Sequence, residues 1–246
     1  MHARPRWLDA LMGTLLLGIA LAGCAQPSSA GAMAPRPASP GVISYLALGD
    51  SYTIGEGVTL AGRWPNQLAH AMRNQGVAIA DPRIIASTGW TTDELSAAIN
   101  TADASAPLES YDLVSLAIGV NNQYRGCDVD NYRLELTALL ERAIRIAGGN
   151  PGHVLMLSIP DWGVTPFARA ELRSPRRIAR ELDAFNAAAR EICSAHDVSF
   201  VDITEVSREL GAQPAMLVDD GLHPSAAMYA QWTRLALPVV RRRLRR

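Results

Sequence analysis

The chain has 246 residues, of which 48% are hydrophobic and 19% are charged, and its formal net charge is -1. This length is enough for one sizeable hydrophobic core and too short for two comfortable domains. The near-neutral charge argues against a nucleic-acid-binding protein, which is usually distinctly basic.

The first 24 residues differ from the rest of the chain. Arg4 and Arg6 give a positive start, an apolar stretch follows over residues 11–21, and a small-residue processing site ends at Cys24. The apolar stretch is too short for a comfortable transmembrane helix and is typical of a secretory signal. An uncleaved anchor or a plain signal peptide is the alternative. In either case we expect the protein to be exported.

Leu21-Ala22-Gly23-Cys24 resembles the lipobox of bacterial lipoproteins, in which the cysteine becomes the lipidated N-terminus after cleavage. This resemblance implies a signal peptide over residues 1–23 and a membrane anchor at Cys24. Residues 25–41 are rich in Pro, Ser, Ala and Gly without apolar periodicity, which predicts a flexible linker. The folded domain is therefore expected over residues 42–246.

Strand-like and helix-like segments alternate along this domain. A capping box at 91–94 predicts the start of one helix, and apolar spacing predicts another over 132–146. Ser174 and Pro175 predict the first residues of a long helix, and a last helix is expected over about 224–243. Alternation of this kind favours a doubly wound, three-layer α/β/α sandwich with a parallel sheet. Its five buried strands are predicted at Ile43–Leu48, Arg83–Ala86, Leu113–Ile118, Val154–Ile159 and Phe200–Ile203.

Polar and small residues follow each predicted strand, where open parallel sheets bind their ligands. Ser51 follows the first strand, Gly89 the second and Asn121 the third. Residues 160–163 follow the fourth strand, and Asp220 and His223 follow the fifth. A serine becomes a good nucleophile when a histidine takes its proton and a carboxylate orients that histidine. The sequence therefore predicts an acyl-transfer site along one rim of the sheet.

The same residues resemble a known family. Gly49-Asp50-Ser51, Gly89, Gly119-Val120-Asn121 and Asp220-Gly221-Leu222-His223 resemble, in order, the four conserved blocks of the SGNH hydrolases, also called GDSL esterases or lipases. These blocks span nearly the whole predicted domain. The resemblance implies a flavodoxin-like fold, in agreement with the α/β/α pattern.

The resemblance also implies roles for the matching residues. Ser51 would be the nucleophile, His223 the general base and then acid, and Asp220 the orienting carboxylate. The oxyanion hole would consist of the backbone N–H groups of Ser51 and Gly89 and the side-chain amide of Asn121. One position departs from the family pattern, because Asn122 stands where an aspartate is usual. The support that this carboxylate gives must be replaced or absent.

Three aromatic residues, Trp90, Tyr124 and Trp162, follow rim positions closely. They are expected either to line an acyl or sugar-binding cleft or to pack over the strand ends. Arg125 could meet a charged substrate group or remain solvated. Cys127 and Cys193 are expected to be unpaired, because the length of the predicted helix separates them.

No metal-ligand spacing occurs among the scattered histidines, and no phosphate-binding glycine motif is present, so no cofactor is expected. These features predict an exported, lipid-anchored serine esterase that acts on a small-molecule or envelope polysaccharide ester. A carbohydrate O-acetylesterase, a lysophospholipase and a thioesterase share this chemistry. A non-catalytic envelope-binding lipoprotein is the alternative from another class.

Overall fold

Five short strands form one parallel sheet in the computed structural model, which describes residues 41–108 and 110–244. The order of the strands in the sheet is β2-β1-β3-β4-β5, so the first strand lies inside the sheet with a partner on each side. The predicted signal peptide and Cys24 lie outside the described residues. The strands are β1 (Tyr45–Gly49), β2 (Arg83–Ala86), β3 (Leu113–Ala117), β4 (Val154–Leu157) and β5 (Ser199–Val201).

Helices cover both faces of this sheet. On one face α2 packs against α9, and on the other α3, α5 and α7 pack in a row. The three inner strands are buried along their whole length, which explains why they appear in the sequence as continuous apolar runs. The helices are α1 (Ser51–Ile54), α2 (Trp64–Asn74), α3 (Thr92–Ser105), α4 (Val120–Tyr124), α5 (Val129–Ile146), α6 (Pro166–Ala170), α7 (Pro175–Ala195), α8 (Thr204–Leu210) and α9 (Ala226–Leu244).

Local sequence signals determine where two of the long helices begin. Thr91 and Glu94 form the predicted capping box at the start of α3, where each side chain binds the other's backbone N–H. Ser174 caps α7 by accepting the N–H of Arg177, and Pro175 occupies the first helical position. Both predicted starts are confirmed.

The contact between α2 and α9 joins distant parts of the chain. Trp64 is fully buried there, and its carbonyl accepts the Thr233 hydroxyl at 3.4 Å. The side-chain amide of Gln67 donates to the Ala226 carbonyl at 2.9 Å. These bonds fix α9, which follows the Asp220–His223 loop, against the helix that follows the Ser51 turn.

The three-layer α/β/α class and the five-stranded parallel sheet are confirmed. Each predicted strand is present, and the ends differ by up to two residues. Sequence reasoning missed α2, although Trp64, Leu68 and Met72 lie four residues apart and all face the core. No helix among the described residues is long and apolar enough to cross a membrane.

Candidate active site

The turn after β1 places Ser51 at the start of a helix. Asp50 caps this short helix, because its Oδ1 accepts the backbone N–H of Tyr52 at 3.0 Å. A side chain at Gly49 would collide with the carbonyl oxygen of Ala117, so the strand can make this close approach only with glycine. Ser51 is 5% exposed, at the carboxyl end of the sheet. The turn therefore holds the hydroxyl-bearing residue rigidly.

The carboxyl group of Asp50 is almost fully buried beside this serine. Burial raises its pKa to about 7, although the N–H of Tyr52 and the neighbouring His223 both favour the charged form. A carboxyl group with this pKa changes charge near neutral pH. It is an ionisable group of the site that the sequence did not reveal.

Asp220 and His223 lie on the loop between α8 and α9, and they form a direct pair. Oδ2 of Asp220 lies 2.5 Å from Nδ1 of His223. Oδ1 of Asp220 accepts the backbone N–H groups of Leu222 at 2.8 Å and of His223 at 2.9 Å. Partial burial opposes ionisation of Asp220, but these hydrogen bonds from the ring and the backbone lower its pKa below the usual value. The charged carboxylate favours the tautomer with the proton on Nδ1, which leaves Nε2 free to accept a proton.

One contact holds this loop next to the Ser51 turn, and a second ties it to α6. The ring of Tyr52 packs edge-on against the ring of His223, with centroids 5.7 Å apart. The carbonyl of Gly221 accepts the N–H of Phe167 on α6 at 3.1 Å. Among the described residues, no hydrogen bond joins the Ser51 hydroxyl to His223, an arrangement common in unliganded enzymes. The structure thus brings the two segments together as the sequence predicted.

Gly89 lies on the loop that follows β2, and Asn121 lies in the first turn of α4, directly after β3. Gly89 has a positive φ of 87°, and its carbonyl accepts a guanidinium N–H of Arg125 at 2.5 Å. The Asn121 side-chain amide donates one hydrogen to the Trp90 carbonyl at 2.9 Å, and its second hydrogen remains available. In the part of the chain that the structure describes, the backbone N–H groups of Ser51 and Gly89 donate to no protein acceptor. Three N–H donors along this rim thus have no protein acceptor among the described residues, a property that an oxyanion hole requires.

Asn122 replaces the support expected from a carboxylate at its position. Its side chain is buried, and its Oδ1 accepts the backbone N–H of Thr92 at 3.1 Å. Its amide nitrogen donates to the Thr92 hydroxyl at 2.7 Å, and that hydroxyl also binds Glu135. The amide therefore ties α4, which carries Asn121, to the first residue of α3.

The three aromatic residues of the rim have different surroundings. Trp162 is 2% exposed, and its indole N–H donates to Gln123 at 2.8 Å, so it packs under the rim instead of facing a cleft. Trp90 and Tyr124 are half-buried. Phe167, which sequence reasoning missed, packs against both Tyr124 and Trp162. Phe167 lies on α6, and its contacts with these rings and with the Gly221 loop place it near the site.

Cys127 and Cys193 are both free, as predicted. Cys193 is fully buried, with its Sγ 3.5 Å from the Met156 sulfur, which confirms the expected packing role. No group of three or more His, Cys, Asp or Glu side chains in the described ranges could hold a metal ion.

A cavity of about 640 Å³ adjoins the site beyond Tyr124, and its lining does not include Ser51 or His223.

The α/β/α fold, with these side chains along the carboxyl rim of the sheet, is the fold of the SGNH class of hydrolases. A model of the GDSL-like lipase/acylhydrolase family matches residues 47–231, and the chain belongs to this family. No curated protein matches the chain significantly.

Several solved structures share the fold. TesA has a TM-score of 0.63 and 18% identity, and the match covers 81% of this chain and 99% of that chain. The psychrotrophic esterase EstA from Pseudoalteromonas sp. has a TM-score of 0.63 and 15% identity, with coverages of 82% and 99%. A variant of Axe2, an acetyl-xylooligosaccharide esterase from Geobacillus, has a TM-score of 0.60 and 21% identity, with coverages of 80% and 94%. At these identities the likeness concerns the fold alone.

Proposed function

We propose that the protein is an exported, lipid-anchored serine esterase that cleaves carboxylic esters through an acyl-enzyme on Ser51. The observation that carries this proposal is the Asp220–His223 pair, which lies beside the Ser51 turn with Nε2 of the histidine free to accept a proton. Membership of the GDSL-like lipase/acylhydrolase family supports ester hydrolysis as the reaction class.

The proposed reaction begins when the Ser51 hydroxyl attacks the ester carbonyl and Nε2 of His223 takes its proton. The tetrahedral oxyanion accepts hydrogen bonds from the N–H groups of Ser51 and Gly89 and from the second amide hydrogen of Asn121. Collapse of this intermediate breaks the ester bond, and His223 gives its proton to the departing alcohol. His223 then activates the water that releases the acid and regenerates Ser51. Asp220 stabilises the imidazolium and keeps the ring oriented throughout.

Hydrolysis of a p-nitrophenyl ester series tests this proposal on wild type and Ser51→Ala. The matched control is Ser194→Ala, because Ser194 is exposed near the end of α7. We expect Ser51→Ala to lose turnover and Ser194→Ala to retain it. A fluorophosphonate probe should label wild type at Ser51 and leave Ser51→Ala unlabelled. Wild type that hydrolyses no ester, or Ser51→Ala that matches wild type, would support a non-catalytic binding lipoprotein instead.

The same ester series addresses the substrate class. Preference for the acetyl ester supports a carbohydrate O-acetylesterase, whereas preference for long chains supports a lysophospholipase or lipase. Thioester analogues of the preferred chain length test thioesterase activity. The shared chemistry at Ser51 acts on all of these, so the discrimination must come from the walls of the neighbouring cavity.

The anchor is proposed from the sequence of the first 24 residues and has its own test. Cells that express the full chain are fed an alkyne fatty acid, and the protein is recovered and visualised by its label. Labelling of wild type that disappears in Cys24→Ala supports lipidation at Cys24. Persistent labelling of the variant excludes Cys24 as the attachment site.

A further inference from the structure

The cavity beside the site has two walls from different parts of the chain. The segment from Gln123 to Val129, which joins α4 to α5, forms one wall, and the segment from Leu172 through the first turns of α7 forms the other. The volume of about 640 Å³ is within the usual range for small-molecule sites. The buried side chains of Ile178 and Phe185 give it an apolar floor.

Arg125 links this cavity to the proposed oxyanion hole. Arg125 lines the cavity, and the same guanidinium holds the carbonyl of Gly89 at 2.5 Å. Asn121 lies in α4 and Arg125 caps the end of that helix four residues later, which corresponds to a rise of about 6 Å. We therefore expect a substrate whose ester carbonyl reaches Asn121 to extend its remote end toward this cavity.

Arg173 is held in a defined orientation on the cavity wall. One guanidinium nitrogen donates to the Tyr124 carbonyl at 2.9 Å, and the group lies over the Tyr124 ring at 4.4 Å from its centroid. Among the described residues, no carboxylate oxygen comes within 4.0 Å of this guanidinium. The remaining N–H groups of Arg173 are thus exposed and oriented, and within the described ranges no carboxylate forms a direct ion pair with them.

The other charged groups of the lining already have partners. Arg177 pairs with Glu181 at 2.6 Å, and the second oxygen of Glu181 accepts the Gln123 amide at 2.7 Å. Arg125 pairs with Glu94 at 3.2 Å. The carboxylate of Asp128 caps α5 by accepting the N–H of Asp130. Of the three guanidinium groups in the lining, Arg125 and Arg177 are thus paired with carboxylates, whereas Arg173 forms no direct ion pair within the described ranges.

We infer that this cavity selects esters whose remote end carries an anionic group, a carboxylate or a phosphate, which Arg173 binds above an apolar floor. This inference rests on the proposed esterase function and specifies the substrate class of that site. A guanidinium suits such groups because its planar donors match their oxygens. The aromatic face of Tyr124 fixes the guanidinium, so less side-chain freedom is lost on binding.

Binding without turnover provides the first test. Hexyl phosphate, hexanoate and the neutral 1-hexanol are titrated calorimetrically into Ser51→Ala protein, alone and combined with Arg173→Gln or Arg176→Gln. Arg176 is the matched control, because it is an exposed neighbour outside the lining. We expect the anions to bind more tightly than hexanol, and Arg173→Gln to weaken anion binding about tenfold. Arg176→Gln should change it by less than about twofold. Equal affinity for hexanol, or equal losses in both variants, would overturn the inference.

Turnover of matched ester pairs then identifies the source of the charge. One pair is the p-nitrophenyl half-ester of adipate against p-nitrophenyl hexanoate, and the other is a 1-acylglycerol phosphate against the monoacylglycerol. A higher kcat/KM for the charged member of either pair, which disappears in Arg173→Gln, supports the inference. The adipate pair assigns the charge to the acyl side of the ester, and the glycerol phosphate pair assigns it to the alcohol side. Equal rates within both pairs contradict it while leaving the esterase function intact. If wild type hydrolyses none of the four, the esterase function fails, and the calorimetric result alone decides whether the cavity binds anions.

Discussion

Replacing Asp220 with Asn preserves the shape of the side chain but changes which of its atoms can donate. Oδ1 of Asp220 accepts two backbone N–H groups, from Leu222 and His223. In Asp220→Asn only the amide oxygen can accept these bonds, so the amide NH2 must face Nδ1 of His223. That nitrogen then has to accept, and the imidazole proton moves to Nε2. A protonated Nε2 cannot take the proton of Ser51, although the loop stays folded.

We expect this change of tautomer to lower kcat about 10⁴-fold, which corresponds to about 5.5 kcal/mol of activation free energy. Steady-state hydrolysis of a p-nitrophenyl ester measures it, and the melting temperature of the variant should match that of wild type. Asp219→Asn is the matched control, because Asp219 is exposed and forms no hydrogen bond or ion pair among the described residues. Asp220→Asn turnover within about tenfold of wild type would refute the proposed role of the pair.

Three further predictions concern buried polar groups. Asn122→Leu should lower the free energy of unfolding by about 1–3 kcal/mol in urea denaturation, because the buried Thr92 N–H loses its acceptor; unchanged stability would contradict this. Asp50 has a raised pKa, so the folded state binds more protons than the unfolded state between about pH 4 and 7, and its contribution to stability falls as pH rises through that window. Asp50→Asn should therefore gain stability relative to wild type at pH 8 compared with pH 5, by about 3 kcal/mol, because about two units of the window lie between these pH values. A pH-independent difference would show that burial does not govern this carboxyl. Burial raises the pKa of the Cys193 thiol to about 12, so peptide mapping should find maleimide on Cys193 only after denaturation, while the half-buried Cys127 reacts in the native protein.

The fold was largely predictable because its signals are local. Continuous apolar runs marked the buried strands, and residues 91–94 and 174–175 marked helix starts through side-chain caps. The helix α2 was missed because its apolar residues are interrupted by polar ones such as His70, and a single helical stripe is a weaker signal than a buried strand. The short helix α8 was missed as well, so the sequence placed Asp220 closer to β5 than the structure does.

The residues of the candidate site were predictable in their order along the chain, because each follows a strand and parallel strands end at one rim. The hydrogen-bond partners of these residues were not predictable. The bonds from Arg125 to Gly89 and from Asn121 to Trp90 cross 36 and 31 positions, and they depend on side-chain conformations that no local pattern encodes. At Asn122 the sequence showed a departure from the family pattern but did not show what replaces the usual carboxylate. The structure shows that its bonds to Thr92 do so.

The hydrogen bond from Gln67 to Ala226 spans 159 positions of sequence, and it has a consequence for the timing of activity. Contacts of such long range form late in folding, because the chain must lose much loop entropy before they contribute. Ser51 is near the start of the domain and sits beside a strand with two partners, whereas His223 is positioned only when α9 docks on α2. A partly folded chain would therefore contain Ser51, the proposed nucleophile, before His223, the proposed base, is in place. On the proposed mechanism, we expect esterase activity to appear only when α9 has docked.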